Sequence, residues 1–134
     1  MKHEERKMKN LIKISLFLFF FVSSQTEIFA EKKAQISFEK TTHDFDKVYL
    51  GSGSVKYCFV FQNNGDEPLI IKDVRTSCGC VYGSWTKKPV APSDTGSVCV
   101  IYKNNVSGAF NKTVRVISNA EKTSLMVKGK TVRK

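Results

Sequence analysis

From Ile36 onward, apolar side chains recur at every second position and not at helical spacing. In "SVKYCFVFQNNG" the residues Val55, Tyr57, Phe59 and Phe61 alternate with Lys56, Cys58, Val60 and Gln62, and an Asn-Asn-Gly turn closes the run. That is the period of a strand with one face buried. "EPLIIKDVRTS" supplies a second strand, opened by Pro68, where the missing N–H is harmless. "TGSVCVIYKN", "FNKTVRVISN" and "TSLMVKGKTV" repeat the pattern through Val98, Val100 and Tyr102, then Val114 and Val116, then Leu125 and Val127. "AQISFEK" and "HDFDKVYLG" add one or two short strands ahead of them. About seven short strands broken by Gly, Asn, Asp and Pro predict an all-β fold, an immunoglobulin-like β-sandwich.

The first thirty residues follow another rule. Lys2, Arg6, Lys7, Lys9 and Lys13 precede the apolar run "ISLFLFFFV", which is followed by "SSQTE" and the small residue Ala30. A basic start, an apolar run short for a membrane span and a small residue describe a secretory signal peptide over residues 1–30, with residues 31–134 as the single domain. A cut near Ser24 is a second option, and an uncleaved anchor helix is the competing reading. No cysteine directly follows the run, so a lipid anchor has no support.

Setting this segment aside changes the composition. Five of the ten phenylalanines leave with it, and residues 31–134 keep seventeen Lys and Arg against nine Asp and Glu, a net of about +8. The positive residues are spread over loops and outward strand positions, where lysine also discourages edge-to-edge pairing. Export argues against a nucleic-acid target, and the aromatics lie at core parity instead of on a stacking face. The expected partner is a protein or an acidic envelope component, with the membrane involved only through the signal segment before cleavage.

Export also bears on the cysteines. Cys58, Cys78, Cys80 and Cys99 all lie beyond residue 30, and an even number in an oxidising compartment favours disulfides, with three pairings open. Cys58 and Cys99 fall opposite the core parity of their strands, so they can bridge across an outer face if those strands are neighbours. In an extended chain Cys78 and Cys80 would stand about 6.6 Å apart, near the upper limit for a disulfide. Gly79 can supply the bend that brings them closer. Either the two sulfurs bridge in a strained, reducible link, or they pack as small apolar groups in a corner between sheets; the corner reading is preferred. Trp85 is expected to pack over that corner.

The ordered motifs "THDFDKV", "FQNNGDEPLII", "TSCGC", "KKPVAPSDTGSVCVIY", "SGAFNKTVRVISN" and "LMVKGK" resemble a secreted bacterial family of unknown function with a Ser-Cys-Gly-Cys motif, similar to Hydin-type immunoglobulin-like modules. The resemblance runs from about Ile36 to Gly129. Two departures stand out: Asp46 replaces a usual glycine, and Ser93-Asp94 stands where Pro-Gly is usual. The likeness implies an exported β-sandwich and carries no established activity.

Catalytic chemistry finds little support. His43 is the one histidine beyond residue 30, and no nucleophile elbow or phosphate loop accompanies it. A lone His beside Asp at a strand start reads as a turn residue, and Asp44 and Asp46 as solvated turn carboxylates. The chain reads as a non-enzyme without a cofactor. Two functions remain in view. The first is an exported binding or assembly module of a bacterial envelope, periplasmic or extracellular, contacting its partner by a sheet edge or by the corner around Gly79 and Trp85. The second is a thiol-disulfide or soft-metal protein using Cys78-Gly79-Cys80, with metal ligation by the two thiolates and one imidazole.

Overall fold

A computed structural model describes residues 2–21 and 30–134. The chain divides into two units, residues 1–31 and residues 32–134. In the first, helix α1 (Lys2–Phe21) covers the basic start and most of the apolar run, and Leu11, Ile12, Ile14 and Phe17 are exposed on it. No described helix is long and apolar enough to cross a membrane. The cleavage positions expected at Ser24 or after Ala30 depend on residues 22–29, which lie outside the described residues.

The second unit is built from eight strands: β1 (Ile36–Phe38), β2 (Thr42–Tyr49), β3 (Ser54–Asn63), β4 (Ile71–Thr76), β5 (Val81–Trp85), β6 (Thr95–Lys103), β7 (Gly108–Ser118) and β8 (Thr123–Val132). They form two four-stranded sheets, ordered β1-β3-β6-β5 and β2-β8-β7-β4. Every neighbouring pair is antiparallel except β2 with β8. Alternation decides which side chains meet between the sheets. Phe59, Phe61, Val98 and Val100 from one sheet and Val114, Val116, Leu125 and Val127 from the other are fully buried, as the periodicity predicts. Two glycines make room for rings in this layer. A Cβ on Gly96 would come within 2.5 Å of the Phe61 ring, and one on Gly129 within 2.7 Å of the Phe110 ring.

The strand absent from the sequence reading is β5. "VYGSW" has a glycine at its centre and follows directly on the Cys-Gly-Cys bend, so its period is too short to stand out. At the other margin, the strand expected from Pro68 starts only at Ile71; Leu69 makes an isolated bridge with Val90.

His43 is not a turn residue. It sits within β2, stacked on the Tyr57 ring of the opposite sheet at 3.7 Å and edge-on to Phe45 at 4.7 Å. Burial, with Lys40 nearby, lowers its pKa below the usual imidazole value, and Asp44 opposes this only in part. A neutral ring is the form that stacks on Tyr57 without a charge to desolvate. Asp44 and Asp46 also lie in β2, at a register irregularity between Asp44 and Lys47.

Two residues have left-handed backbone: Asp46 has φ 57° and Ser93 has φ 69°, and no other described non-glycine residue has a positive φ. Left-handed backbone crowds the Cβ of an L-residue. The Asp46 N–H donates to Asp44 Oδ1 at 2.8 Å, a local bond that the backbone keeps whatever the side chain. Ser93→Gly is therefore expected to stabilise the fold by several tenths of a kcal/mol, the relief of strain exceeding the added chain entropy. Asp46→Gly should gain less, since Asp tolerates this region better than Ser. Thermal unfolding of the two variants checks the order.

Candidate functional site

The four cysteines form two disulfides. Cys58 on β3 stands directly opposite Cys99 on β6, and the two are bonded across the outer face, with Cα atoms 3.9 Å apart. Their strands are the neighbours that such a bridge requires. Cys78 and Cys80 are also bonded to each other, with Cα atoms 5.4 Å apart. This corrects the preferred reading, in which the two sulfurs packed unbonded. The chain bends at Gly79 enough to bring the Cα atoms inside disulfide range.

That bend is the corner where the chain leaves β4 in one sheet and enters β5 in the other. Thr76 Oγ1 donates to the Cys78 carbonyl at 3.2 Å, the Val81 N–H donates to the same carbonyl at 3.3 Å, and the Lys103 N–H donates to the Cys80 carbonyl at 2.8 Å. Gly79 is exposed, with nothing within 4 Å of the position a Cβ would take. Trp85 does not share this corner. It pairs with Val98 at the far end of β5 while Val81 pairs with Tyr102, a separation of about 13 Å along the strand. Its ring packs against the core, Lys87 Nζ lies 3.1 Å above it, and Nε1 is buried with no hydrogen-bond partner among the described residues.

What joins Gly79 to Trp85 is the edge of β5. The sandwich has four edge strands, and three are blunted. β1 has only three residues, β2 carries the irregularity beside Asp46, and β4 is irregular between Ile71 and Asp73 and bears Lys72 and Arg75. Short length, bulges and basic side chains are the usual means of stopping an edge from recruiting another strand. β5 has none of these: its five residues pair with β6 in unbroken register and include no charge. The Thr86 N–H bond to the Ser97 carbonyl and the Lys103 N–H bond to the Cys80 carbonyl fix the ladder's alternation. They turn the backbone groups of Val81, Gly83 and Trp85 toward the open side. Val81 spends its N–H on Cys78, while the N–H and C=O of Gly83 and Trp85 have no partner among the described residues.

Gly83 sits here because β4 comes close. A Cβ at this position would lie 2.5 Å from Val74 Cγ1. Tyr82, on the outward side, is exposed beneath Lys103 Nζ, which lies 4.6 Å from the ring. Gly79 and Trp85 stand out in the sequence and Gly83 does not, since an unpaired edge follows from strand order and leaves no mark in composition.

Two antiparallel-dominated sheets packed through alternating side chains, cross-linked on an outer face and open along one edge, define an immunoglobulin-like sandwich. The chain belongs to the family described as protein of unknown function (DUF1573), whose model matches residues 36–131. No curated protein matches it. Among solved structures it is similar to a protein of unknown function from Porphyromonas gingivalis W83, with a TM-score of 0.66 at 15% identity over 80% of this chain and 51% of that one. It is also similar to the ASH/PapD-like domain 7 of human CEP192, at 0.64 and 8% identity over 76% of this chain and 88% of that one. The YadV chaperone follows at 0.51 and 11% identity, over 72% and 52% of the two chains. The chain thus spans about half the length of the Porphyromonas protein. At these identities the likeness speaks for the fold.

Proposed function

We propose that this chain is an exported binding or assembly module of a bacterial envelope, working in the periplasm or outside the cell, and that it holds its partner by strand addition to β5. The unprotected edge carries this reading: unpaired Gly83 and Trp85 backbone groups offer a ready ladder. Two disulfides suit an oxidising compartment. Likeness in fold to a PapD-like domain and to a chaperone supports the same role by analogy. The Cys58–Cys99 bridge ties β3 to β6, the strand that backs β5, and gives the edge a rigid backing, which lowers the ordering entropy of binding.

A photo-reactive residue placed at exposed Ser84 should capture a partner from envelope fractions, whereas one at Lys72 on β4 should not. In the captured complex, hydrogen exchange at the Gly83 and Trp85 amides should slow at least tenfold. Unchanged exchange at both amides would rule out strand addition.

A thiol-disulfide role, or soft-metal binding after reduction, is the second reading, favoured by the exposure of the Cys78–Cys80 link around Gly79. The two readings part on the double variant Cys78→Ser, Cys80→Ser. It retains partner capture if the edge is the site, and loses all activity if the sulfurs are.

A further inference from the structure

On the outward face of the second sheet, Arg75 of β4 stands directly opposite Arg115 of β7, and Arg115 stands opposite Ser124 of β8. Like charges facing across a ladder repel, so this placement is unfavourable unless something negative comes between them. The neighbouring Asp73 does not fill that role. Its Oδ2 holds Arg75 at Nε, 3.1 Å away, and its Oδ1 accepts the Val74 N–H at 2.8 Å. Both carboxylate oxygens are engaged on the Arg75 side, and Asp73 acts to orient that guanidinium. Arg115 and Lys122 have no ion-pair partner among the described residues. The three cations line one cleft of about 210 Å³, which Ser124 also lines. Three positive charges and one negative leave a net of +2 at a recess sized for a small group and too small for a whole drug-sized ligand.

We propose that this cleft binds a phosphomonoester dianion. Two guanidinium forks side by side match the oxygens of a tetrahedral anion, Lys122 supplies a third positive contact, and the Ser124 hydroxyl is a donor at the far wall. The net charge of the cleft balances that of the dianion and exceeds in magnitude that of a phosphodiester or a carboxylate. The site shares no residue with the β5 edge, so it stands or falls separately from the strand-addition reading. Its ligand is a soluble phosphate or the monoester headgroup of a lipid, and the chemistry of recognition is the same for both.

The test is a titration of the full, isotope-labelled chain with inorganic phosphate at constant ionic strength, followed by the arginine Nε–H signals and the Arg115 and Ser124 amides. Saturable shifts at these groups are expected, with affinity rising about tenfold from pH 5 to about pH 8 as inorganic phosphate loses its second proton around neutral pH. Dimethyl phosphate, which has no second proton, should bind more weakly and show no such rise. Arg115→Gln should weaken phosphate at least tenfold, yet raise Tm by a degree or two in low salt without phosphate, because it removes the repulsion. Equal shifts with chloride, a pH-independent affinity, or full binding by Arg115→Gln would overturn the proposal. Phosphatidylcholine vesicles containing phosphatidic acid separate the sources. Sedimentation with them that Arg115→Gln and free phosphate abolish assigns the lipid headgroup, and phosphate binding without sedimentation assigns a soluble monoester. Vesicle binding together with no saturable phosphate shift also overturns it.

Discussion

Replacing Cys58 and Cys99 together by alanine is expected to lower the unfolding free energy by about 4 kcal/mol, while the same change at Cys78 and Cys80 removes only about 1–1.5 kcal/mol. The difference lies in the unfolded chain. The first bridge joins residues 41 apart in sequence and the second residues 2 apart, so the first excludes far more unfolded conformations. Position makes the comparison clean. Cys58 and Cys99 lie on the outward face, alternating with buried Phe59, Val98 and Val100, so alanine there opens no cavity in the core. The ladder from Ser54–Lys103 to Gln62–Thr95 stays intact around them. A domain of about a hundred residues has roughly 5–15 kcal/mol in hand, so the loss should appear as a fall in Tm of 15 °C or more. Urea unfolding without reductant measures both double variants. Equal losses would mean that the links act through native contacts and not through the unfolded chain.

The parity of the long strands was legible because each carries enough alternating residues to be read alone, and the outward placement of Cys58 and Cys99 came with it. Their bonding was not, since it depends on β3 and β6 being neighbours, which no local pattern encodes. The same limit hid the facing of Arg75 and Arg115: along the sequence they are two positive residues forty positions apart, and only the β4–β7 register joins them. β5 escaped for a different reason. Its inward positions are Val81, Gly83 and Trp85, and the glycine that lets Val74 approach also erases the middle of the signal. His43 was misplaced because His-Asp followed by Phe-Asp resembles turn chemistry, whereas the stacking on Tyr57 that holds the ring in a strand comes from the other sheet. The Asn-Asn-Gly turn was read correctly as a turn, but its role in holding distant segments was invisible from within it.

That role sets the second large effect. Asn63→Ala is expected to destabilise the fold by about 4 kcal/mol, close to the loss of the long-range disulfide, though it removes one amide on the rim of the sandwich. Asn63 is completely buried. Its Nδ2 donates to the Glu67 carbonyl at 2.7 Å and to the Val90 carbonyl at 2.9 Å, and its Oδ1 accepts the N–H of Gly65 at 2.9 Å and of Gln35 at 3.3 Å. One side chain thereby joins the segment before β1, the turn after β3 and the loop before β6. Backbone bonds follow the same seam, from Asn64 N–H to the Gln35 carbonyl and from Asp66 N–H to the Lys33 carbonyl. The approach is so close that a Cβ on Gly65 would lie 2.1 Å from the Lys33 carbonyl oxygen. Truncation strands the Gly65 and Gln35 N–H donors and the Glu67 carbonyl together, while the Val90 carbonyl keeps the Leu69 N–H; each buried group left without a partner costs about 1–3 kcal/mol, reduced where water can enter. Asn63→Asp separates hydrogen bonding from size. It keeps the volume and both acceptor contacts but points a carboxylate oxygen at two carbonyls, so at neutral pH it should be at least as damaging as alanine. Urea unfolding of the two variants decides the matter: a near-neutral Asn63→Asp would mean that shape, and not the donor pair of Nδ2, holds the seam closed.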